Sequence, residues 1–350
     1  MQMFIGLTYD LKSLYLSQGY LPDQVAEFDS EETISAIEDT LNLLGHKTER
    51  IGNIHELTIL LANGKRWDLV FNIAEGMFGR GREAQIPALL EAFEIPFTFS
   101  DSLTMALTLE KSATKRFLRD QGISTGAFWV VDSMEELKKP NFNFPLFVKP
   151  VAEGSGKGID ETPIVNNFRE LKADVEKLLT IYGQRVLIEE YLPGREFTVG
   201  IVGTGKNAKV IGNIEIIFTD PKSNKIYNLE TKNDYENRVI YKPCSGPLSK
   251  ALHELALKTY RLLNCRDAGR VDIKLNKVGV PTFLEINPLA GINPIHSDLP
   301  ILSRMNGLDY TELIRRIIAS ASERVVNNKH VLLDYHSTVR NSVKNRNTQK

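Results

Sequence analysis

The feature that most limits what this chain can fold into lies between Arg270 and Asn287. Two runs of alternating character, Arg270 to Leu275 and Thr282 to Asn287, flank a turn at Val278-Gly279, the pattern of a two-stranded hairpin. A turn centred there sets Asp272 opposite Glu285 and Arg270 opposite Asn287. Because side chains alternate across a strand, Arg270, Asp272, Lys274, Phe283, Glu285 and Asn287 are expected on one face, and Val271, Ile273, Leu275, Leu284 and Ile286 on a core face. The first face crowds two carboxylates and a carboxamide together. Such oxygens repel one another unless a cation sits between them, and an all-oxygen set suits Mg²⁺ completed by water and phosphate. A solvated sheet face, with Arg270 and Lys274 pairing the acids, fits the same pattern. The hairpin alone leaves both open.

The rest of the chain narrows the class. Residues 3–8 read as a first strand, followed by a polar, Tyr-rich loop and a helix from Glu31 to Leu44, with Ile34, Ile37, Leu41 and Leu44 in register and Gly45 to end it. A short helix near His55 to Ala62, a strand Asp68 to Ile73, a helix through Ile86, Leu89, Leu90 and Phe93, and a short strand Pro96 to Phe99 complete an alternating β and α pattern. That alternation argues for a small parallel α/β lobe over 1–104. Two helical stretches run from Asp101 to Gly122, and the strand Ala127 to Val131 opens a different pattern. Its partner Pro145 to Lys149 leads into a loop, Val151 to Gly158, holding Gly154, Ser155, Gly156, Lys157 and Gly158. Free backbone N–H groups in such a loop suit phosphate oxygens. The spacing is not that of a P-loop, and a flexible hairpin tip fits equally well.

Further on come a helix Phe168 to Tyr182, the strands Arg185 to Leu192, Glu196 to Gly203 and Lys209 to Phe218, a polar excursion Thr219 to Val239 and a helix Leu248 to Leu263. After the hairpin a last amphipathic helix is expected over about Tyr310 to Ser322, with a polar tail behind it. The divisions predicted are 1–104, a central part 105–185, a C-terminal part 186–322 carrying the hairpin, and a partly disordered tail 323–350. Net charge is −1, so nothing points to nucleic acid. No run reaches the roughly 20 apolar residues of a membrane span. Cys244 and Cys265 have no metal-ligand spacing, and Met3 to Leu7 starts a strand without a basic leader, so the expectation is a reduced, cytoplasmic protein.

Taken in order, Lys111, Lys149-Pro150, 153-EGSGKG-158, 189-EEYLPGREF-197, Lys232 and the 270-RVD…EIN-287 hairpin resemble the ATP-grasp fold, and within it the D-alanine:D-alanine ligase family. The resemblance covers most of residues 1–320. It implies an α/β (α+β) ATP-grasp fold behind a Rossmann-like N-terminal lobe, and an ATP-dependent carboxylate–amine ligase that is a homodimer. It further implies that Lys111 and Lys149 contact ATP, that Glu153, Gly154, Ser155, Gly156 and Lys157 cover its phosphates, and that Glu189, Glu190, Tyr191 and Leu192 meet adenine. Glu196 would bind ribose and Lys232 the γ-phosphate. Asp272, Glu285 and Asn287 would hold two Mg²⁺ ions, with Mn²⁺ as a substitute. Arg270, Ser155 and Lys232 are the expected catalytic residues, Arg270 together with N–H groups around Gly291 stabilising an oxyanion. A substrate carboxylate would take the γ-phosphoryl group to give an acyl phosphate, which an amine then attacks, releasing ADP and phosphate.

Departures from the family cluster where amino-acid or other small carboxylate substrates would bind. The family glutamate after the first strand has only Asp10 as a counterpart within Thr8 to Gly19, and Asn233 stands where a tyrosine follows the γ-phosphate lysine. The segment 72-NIAEGMFGRGREAQIP-87 replaces the family's HG…GEDG pattern, so that Glu75, Arg80 and Arg82 either contact substrate or hold their loop. Gly291 and Asn293 sit in an altered run after Asn287, and His296-Ser297 match the site for a second substrate's carboxylate. Asp298 replaces an apolar residue there and either receives a cationic group or caps a helix. A specialised ligase for other carboxylates, a non-catalytic ATP-binding protein and a phosphotransferase are the alternatives.

Overall fold

β1 (Phe4–Thr8) is the centre of a parallel sheet of order β2-β1-β3, between β2 (Lys47–Gly52) and β3 (Leu69–Asn72). The computed structural model describes residues 2–152, 163–219 and 239–325. Ile5 to Thr8 are all buried, as expected of a parallel strand covered on both faces. Phe97 bridges Val70 in parallel, so the short apolar run after Glu94 continues this sheet. β2, Lys-Thr-Glu-Arg-Ile-Gly, carries too little apolar alternation to announce itself in the sequence. It is a strand because β1 offers it an unpaired edge. The Tyr-rich loop holds a short helix, α1 (Lys12–Ser17), and α2 (Glu31–Leu43) follows, with Ser30 accepting from the Thr33 N–H as its N-cap. α3 (Ile54–Ala62) begins with a capping box of Asn53 and Glu56.

α4 (Gln85–Ala92), α5 (Ser102–Leu109) and α6 (Lys111–Asp120) lead to a second sheet of order β4-β7-β5-β6, antiparallel throughout. Its strands are β4 (Phe128–Val131), β5 (Leu146–Pro150), β6 (Ile164–Val165) and β7 (Val186–Glu190). α7 (Phe168–Tyr182) lays Leu171, Val175 and Leu178 on this sheet and ends at Gly183, which takes the left-handed conformation.

The third sheet has the order β10-β9-β8-β11-β12, again antiparallel. It is built from β8 (Glu196–Val202), β9 (Lys209–Phe218), β10 (Val239–Lys242), β11 (Ala268–Leu275) and β12 (Pro281–Asn287), with α8 (Gly246–Leu262) packed on it. Arg270 pairs with Asn287 and Asp272 with Glu285, as the turn requires, but the register then shifts so that Ile273 faces Phe283. One expectation is corrected by this bulge. Phe283 lies in the core beside Val271 and Ile273, not on the polar face, and Leu284 is only half-buried.

α9 (Asp298–Met305) precedes a last helix, α10, over 310–325. Leu313, Ile314, Ile317 and Ile318 of α10 join Ile5, Leu7 and Phe71 in one cluster, so the end of the described chain completes the core begun by its first strand. Asp267, fully buried, ties the parts together. Its oxygens accept from the Phe99 N–H (2.8 Å), Thr204 Oγ1 (3.2 Å), Ser320 Oγ (2.7 Å) and Arg324 Nη1 (3.0 Å).

Candidate active site

The polar face of the β11–β12 hairpin is built from three strands rather than two. Asp272 Oδ1 accepts from Thr198 Oγ1 of β8 at 2.8 Å, while Oδ2 takes Arg270 Nη1 at 2.5 Å and Asn287 Nδ2 at 3.4 Å. Glu285 lies 4.0 Å from Lys111 Nζ at the start of α6. Two expected metal ligands therefore sit against cations of the chain itself, as carboxylates this closely placed require. Among the described residues, no group of three His, Cys, Asp or Glu side chains suffices alone for a metal. Two carboxylates and a carboxamide oxygen do fit a hard cation that takes its remaining ligands from phosphate and water.

Arg270 also reaches Asp298 (3.5 Å), whose other oxygen accepts from Tyr241 OH at 3.3 Å. The cationic group that Asp298 receives is thus Arg270 of its own chain. Asp298 is the first residue of α9, and Ser297 occupies the N-cap position. Asn293 accepts from the N–H groups of Ile295 and His296, both at 2.9 Å, and donates to Thr33 Oγ1 at 2.9 Å, pinning this loop to α2.

On the side where the resemblance implies nucleotide, the second sheet contributes Lys149 and Glu189 from neighbouring strands, and α6 contributes Lys115. Glu189 is buried, with Lys115 Nζ 2.5 Å from one oxygen and Lys149 Nζ 3.0 Å from the other. Burial works to raise its pKa, yet the two ammonium groups hold it down at about 2. Lys149 sits above the ordinary lysine value because Glu189 and Glu285 outweigh its own burial, whereas burial prevails at Lys115 and lowers it. Burial likewise lowers Lys111. Lys115 is absent from the set expected from the sequence; its place one helical turn after Lys111 was the available signal. Glu196 is paired with Lys274 at 2.8 Å, and that ammonium stands 5.7 Å from the Tyr191 ring centre. Leu192 is buried and Glu190 half-buried beside them. Glu153, Gly154, Ser155, Gly156, Lys157 and Lys232, with Asn233, lie outside the described residues.

Between the hairpin and the first lobe lies a cavity of about 280 Å³. Lys111, Arg270, Glu285 and Asn287 line it on one side, Gly291, Asn293, His296, Ser297 and Asp298 on another, and Glu27, Asp29, Glu75 and Glu83 face them from the first lobe. Here the structure corrects the reading of the loop after β1. Asp10 turns inward, where it accepts from Tyr15 OH (2.6 Å) and the Gly76 N–H (2.8 Å). From the segment between β1 and α2, the carboxylates that line the cavity are Glu27 and Asp29, beyond α1 and beyond the span searched in the sequence. Burial raises Asp29 and Glu83 to about 7 each, and burial with Glu83 and Glu27 nearby raises Glu75 well above the carboxylate range. Arg82 is buried and faces Glu27, while Arg80 lines a separate hollow with Gln184 and Arg185.

A glutamate-braced lysine pair on one sheet and an oxygen-bearing hairpin on the next flank a cavity lined by charged groups, in keeping with the ATP-grasp ligase that the resemblance implies. Residues 117–319 match the family model described as "D-ala D-ala ligase C-terminus". The chain is 34% identical over 293 residues to a D-alanine–D-alanine ligase of Aquifex aeolicus, covering 83% of this chain and 94% of that one. To a D-alanine–D-alanine ligase of Bordetella avium it is 32% identical over 275 residues, covering 77% and 82% of the two chains. Its fold matches the crystal structure of a D-alanine–D-alanine ligase from Bacillus anthracis complexed with ATP, with TM-score 0.71, 23% identity and 93% and 99% of the two chains covered. The chain belongs to the D-alanine–D-alanine ligase family. It is an ATP-dependent ligase acting on small molecules. Among the described residues no helix is long and apolar enough to cross a membrane.

Proposed function

We propose that this enzyme joins the carboxylate of one amino acid to the amine of another through an acyl phosphate, with D-alanine as the first candidate for both. The observation that carries this reading is the cavity. Its hairpin side offers Arg270 and the oxygens of Glu285 and Asn287, and its first-lobe side offers carboxylates for an ammonium group. A zwitterionic substrate lying across it would direct its carboxylate toward Arg270 and its ammonium toward Glu27. Lys111 and Lys149 would hold ATP phosphates as point charges, Glu196 would accept from ribose hydroxyls, and Glu189 to Leu192 would flank adenine. Asp272, Glu285 and Asn287 would hold up to two Mg²⁺ ions, which when bound neutralise charge developing on the phosphoryl oxygens. Arg270, gripped by Asp272 and Asp298, would donate to the oxyanion formed when the amine attacks, with the Gly291 N–H beside it. Ser155 and Lys232 keep their proposed roles at the loop and the γ-phosphate. His296 and Ser297 would face the second substrate's carboxylate.

Division of the chain at about residues 104 and 185, a homodimer and a cytoplasmic location belong to the same reading. The surplus of carboxylates on the first-lobe wall favours, as a second reading, a ligase whose amino-acid substrate is not D-alanine. The deciding experiment is Mg-ATP-dependent phosphate release with D- and L-amino acids, singly and in pairs, with mass spectrometry of products. A dipeptide-mass product with D-alanine supports the first reading, and a product only with another pair supports the second. Hydroxylamine should trap the acyl phosphate as a hydroxamate. A stable phosphorylated product that needs no amine would sink both readings in favour of a phosphotransferase.

A further inference from the structure

Arg82 occupies a position whose backbone is set before its side chain acts. Gly76 adopts φ 72°, and a Cβ there would meet the Arg82 carbonyl oxygen at 2.7 Å, so the loop from Gly76 folds back directly onto Arg82. The side chain then runs inward, 9% exposed, and its two terminal nitrogens part. Nη2 donates to Glu27 Oε2 at 2.7 Å, across a sequence separation of 55 residues. Nη1 donates to the Ala152 carbonyl at 2.8 Å, across a separation of 70, at the end of the segment that follows β5. Glu27 is itself only 9% exposed, and among the described residues no hydrogen bond engages its other carboxylate oxygen.

We propose that Arg82 is a positioning residue for the amino-acid substrate: it fixes the Glu27 carboxylate to the second sheet so that its free oxygen is presented to the substrate ammonium. The proposal rests on the assignment of Glu27 to that ammonium made above. The shape of the guanidinium is what the task needs. A planar fork satisfies two acceptors on two segments at once, whereas a lysine ammonium in the same space is a point charge on a flexible stem and holds one of them poorly. Without the fork Glu27 would share a wall with Asp29, Glu75 and Glu83 and keep only the pull of Lys111, which also serves Glu285 and Glu83, so that mutual repulsion would turn it away or leave it protonated. The side chain that Arg82 grips on the cavity wall is Glu27, so its influence on the amino-acid substrate should travel through that carboxylate.

A double-mutant cycle on the full-length enzyme tests this, using Glu27→Gln, Arg82→Gln and both together, each assayed with every amino acid of the panel that supports phosphate release. Arg82→Gln is expected to raise KM for the amino acid about tenfold or more, the scale on which partners that orient a binding group act, and to raise KM for ATP by clearly less. In the Glu27→Gln background the same change should add almost nothing, because its effect travels through Glu27. Arg82→Lys keeps the charge without the fork and should recover only part of the loss; it also carries the cycle if the glutamine variant fails to fold. Equal effects of Arg82→Gln with and without Glu27, or a matching rise in KM for ATP, would show a merely structural role and overturn the proposal while leaving the functional reading intact. An unchanged amino-acid KM in Glu27→Gln would instead overturn the assignment of Glu27, and a panel with no active amino acid would overturn the functional reading, each taking this proposal with it.

Discussion

Glu189→Gln should be among the most costly single changes outside the apolar cores, and its cost can be worked from two directions. Glu189 is 3% exposed and its oxygens face Lys115 at 2.5 Å and Lys149 at 3.0 Å. Removing one partner from a buried ionic group strands the charges left behind, which costs about 3–5 kcal/mol. Independently, a carboxyl held at about 2 against an ordinary 4.5 corresponds to about 3 kcal/mol of stabilisation at 1.36 kcal/mol per pH unit. Because the folded-state value is depressed, that stabilisation is fully present above about pH 4.5 and is lost as pH falls toward 2. Urea unfolding of wild type and variant should therefore differ by about 3 kcal/mol at pH 7, and the gap should narrow by about 1 kcal/mol by pH 3.5. The variant should also bind ATP more weakly, since Lys149 loses the carboxylate that fixes its position. A difference below about 1 kcal/mol at pH 7, or one that does not change between pH 7 and 3.5, would refute the argument that this glutamate is an ionised brace.

Two further changes probe other parts of the molecule. Glu285→Gln removes one carboxylate from the hairpin face and should reduce phosphate release by at least about a hundredfold, with Mg²⁺ titration shifted to higher concentration; wild-type turnover would exclude Glu285 as a metal ligand. Asp267→Asn keeps the shape but loses the charge that Arg324 pairs with and weakens the acceptor for Phe99, Thr204 and Ser320. It should cost about 3 kcal/mol in chemical denaturation, and a change within experimental error would mean that the first lobe and α10 are held by their apolar cluster alone.

Much of the hairpin's geometry was legible in the sequence because it sits on regular elements. Period-two alternation placed Arg270, Asp272, Glu285 and Asn287 on one face and a turn at Gly279 set their pairing, both local properties of the chain. The same logic failed two residues further on, where a bulge sends Phe283 into the core; a bulge answers to packing against the neighbouring elements, and nothing in the spacing announces it. Arg270 and Lys274 do pair with acids, Asp272 and Glu196, yet all four side chains are buried rather than on a solvated face. The sequence also left open whether Arg82 meets substrate or holds its loop, and the structure shows it holding a different loop, that of Glu27.

What the sequence by itself determined is whatever depends on near neighbours: the helices with their caps, the hairpin, the order of motifs that marks the ligase family. The tertiary structure alone decided which distant groups share a charge. Lys115 with Glu189, Arg82 with Glu27 and Arg270 with Asp298 are separated by 74, 55 and 28 residues, and no periodicity links them. Each exists because burial leaves an ionised side chain no stable alternative to an opposite charge, so the partner is chosen by the packing of whole lobes against one another.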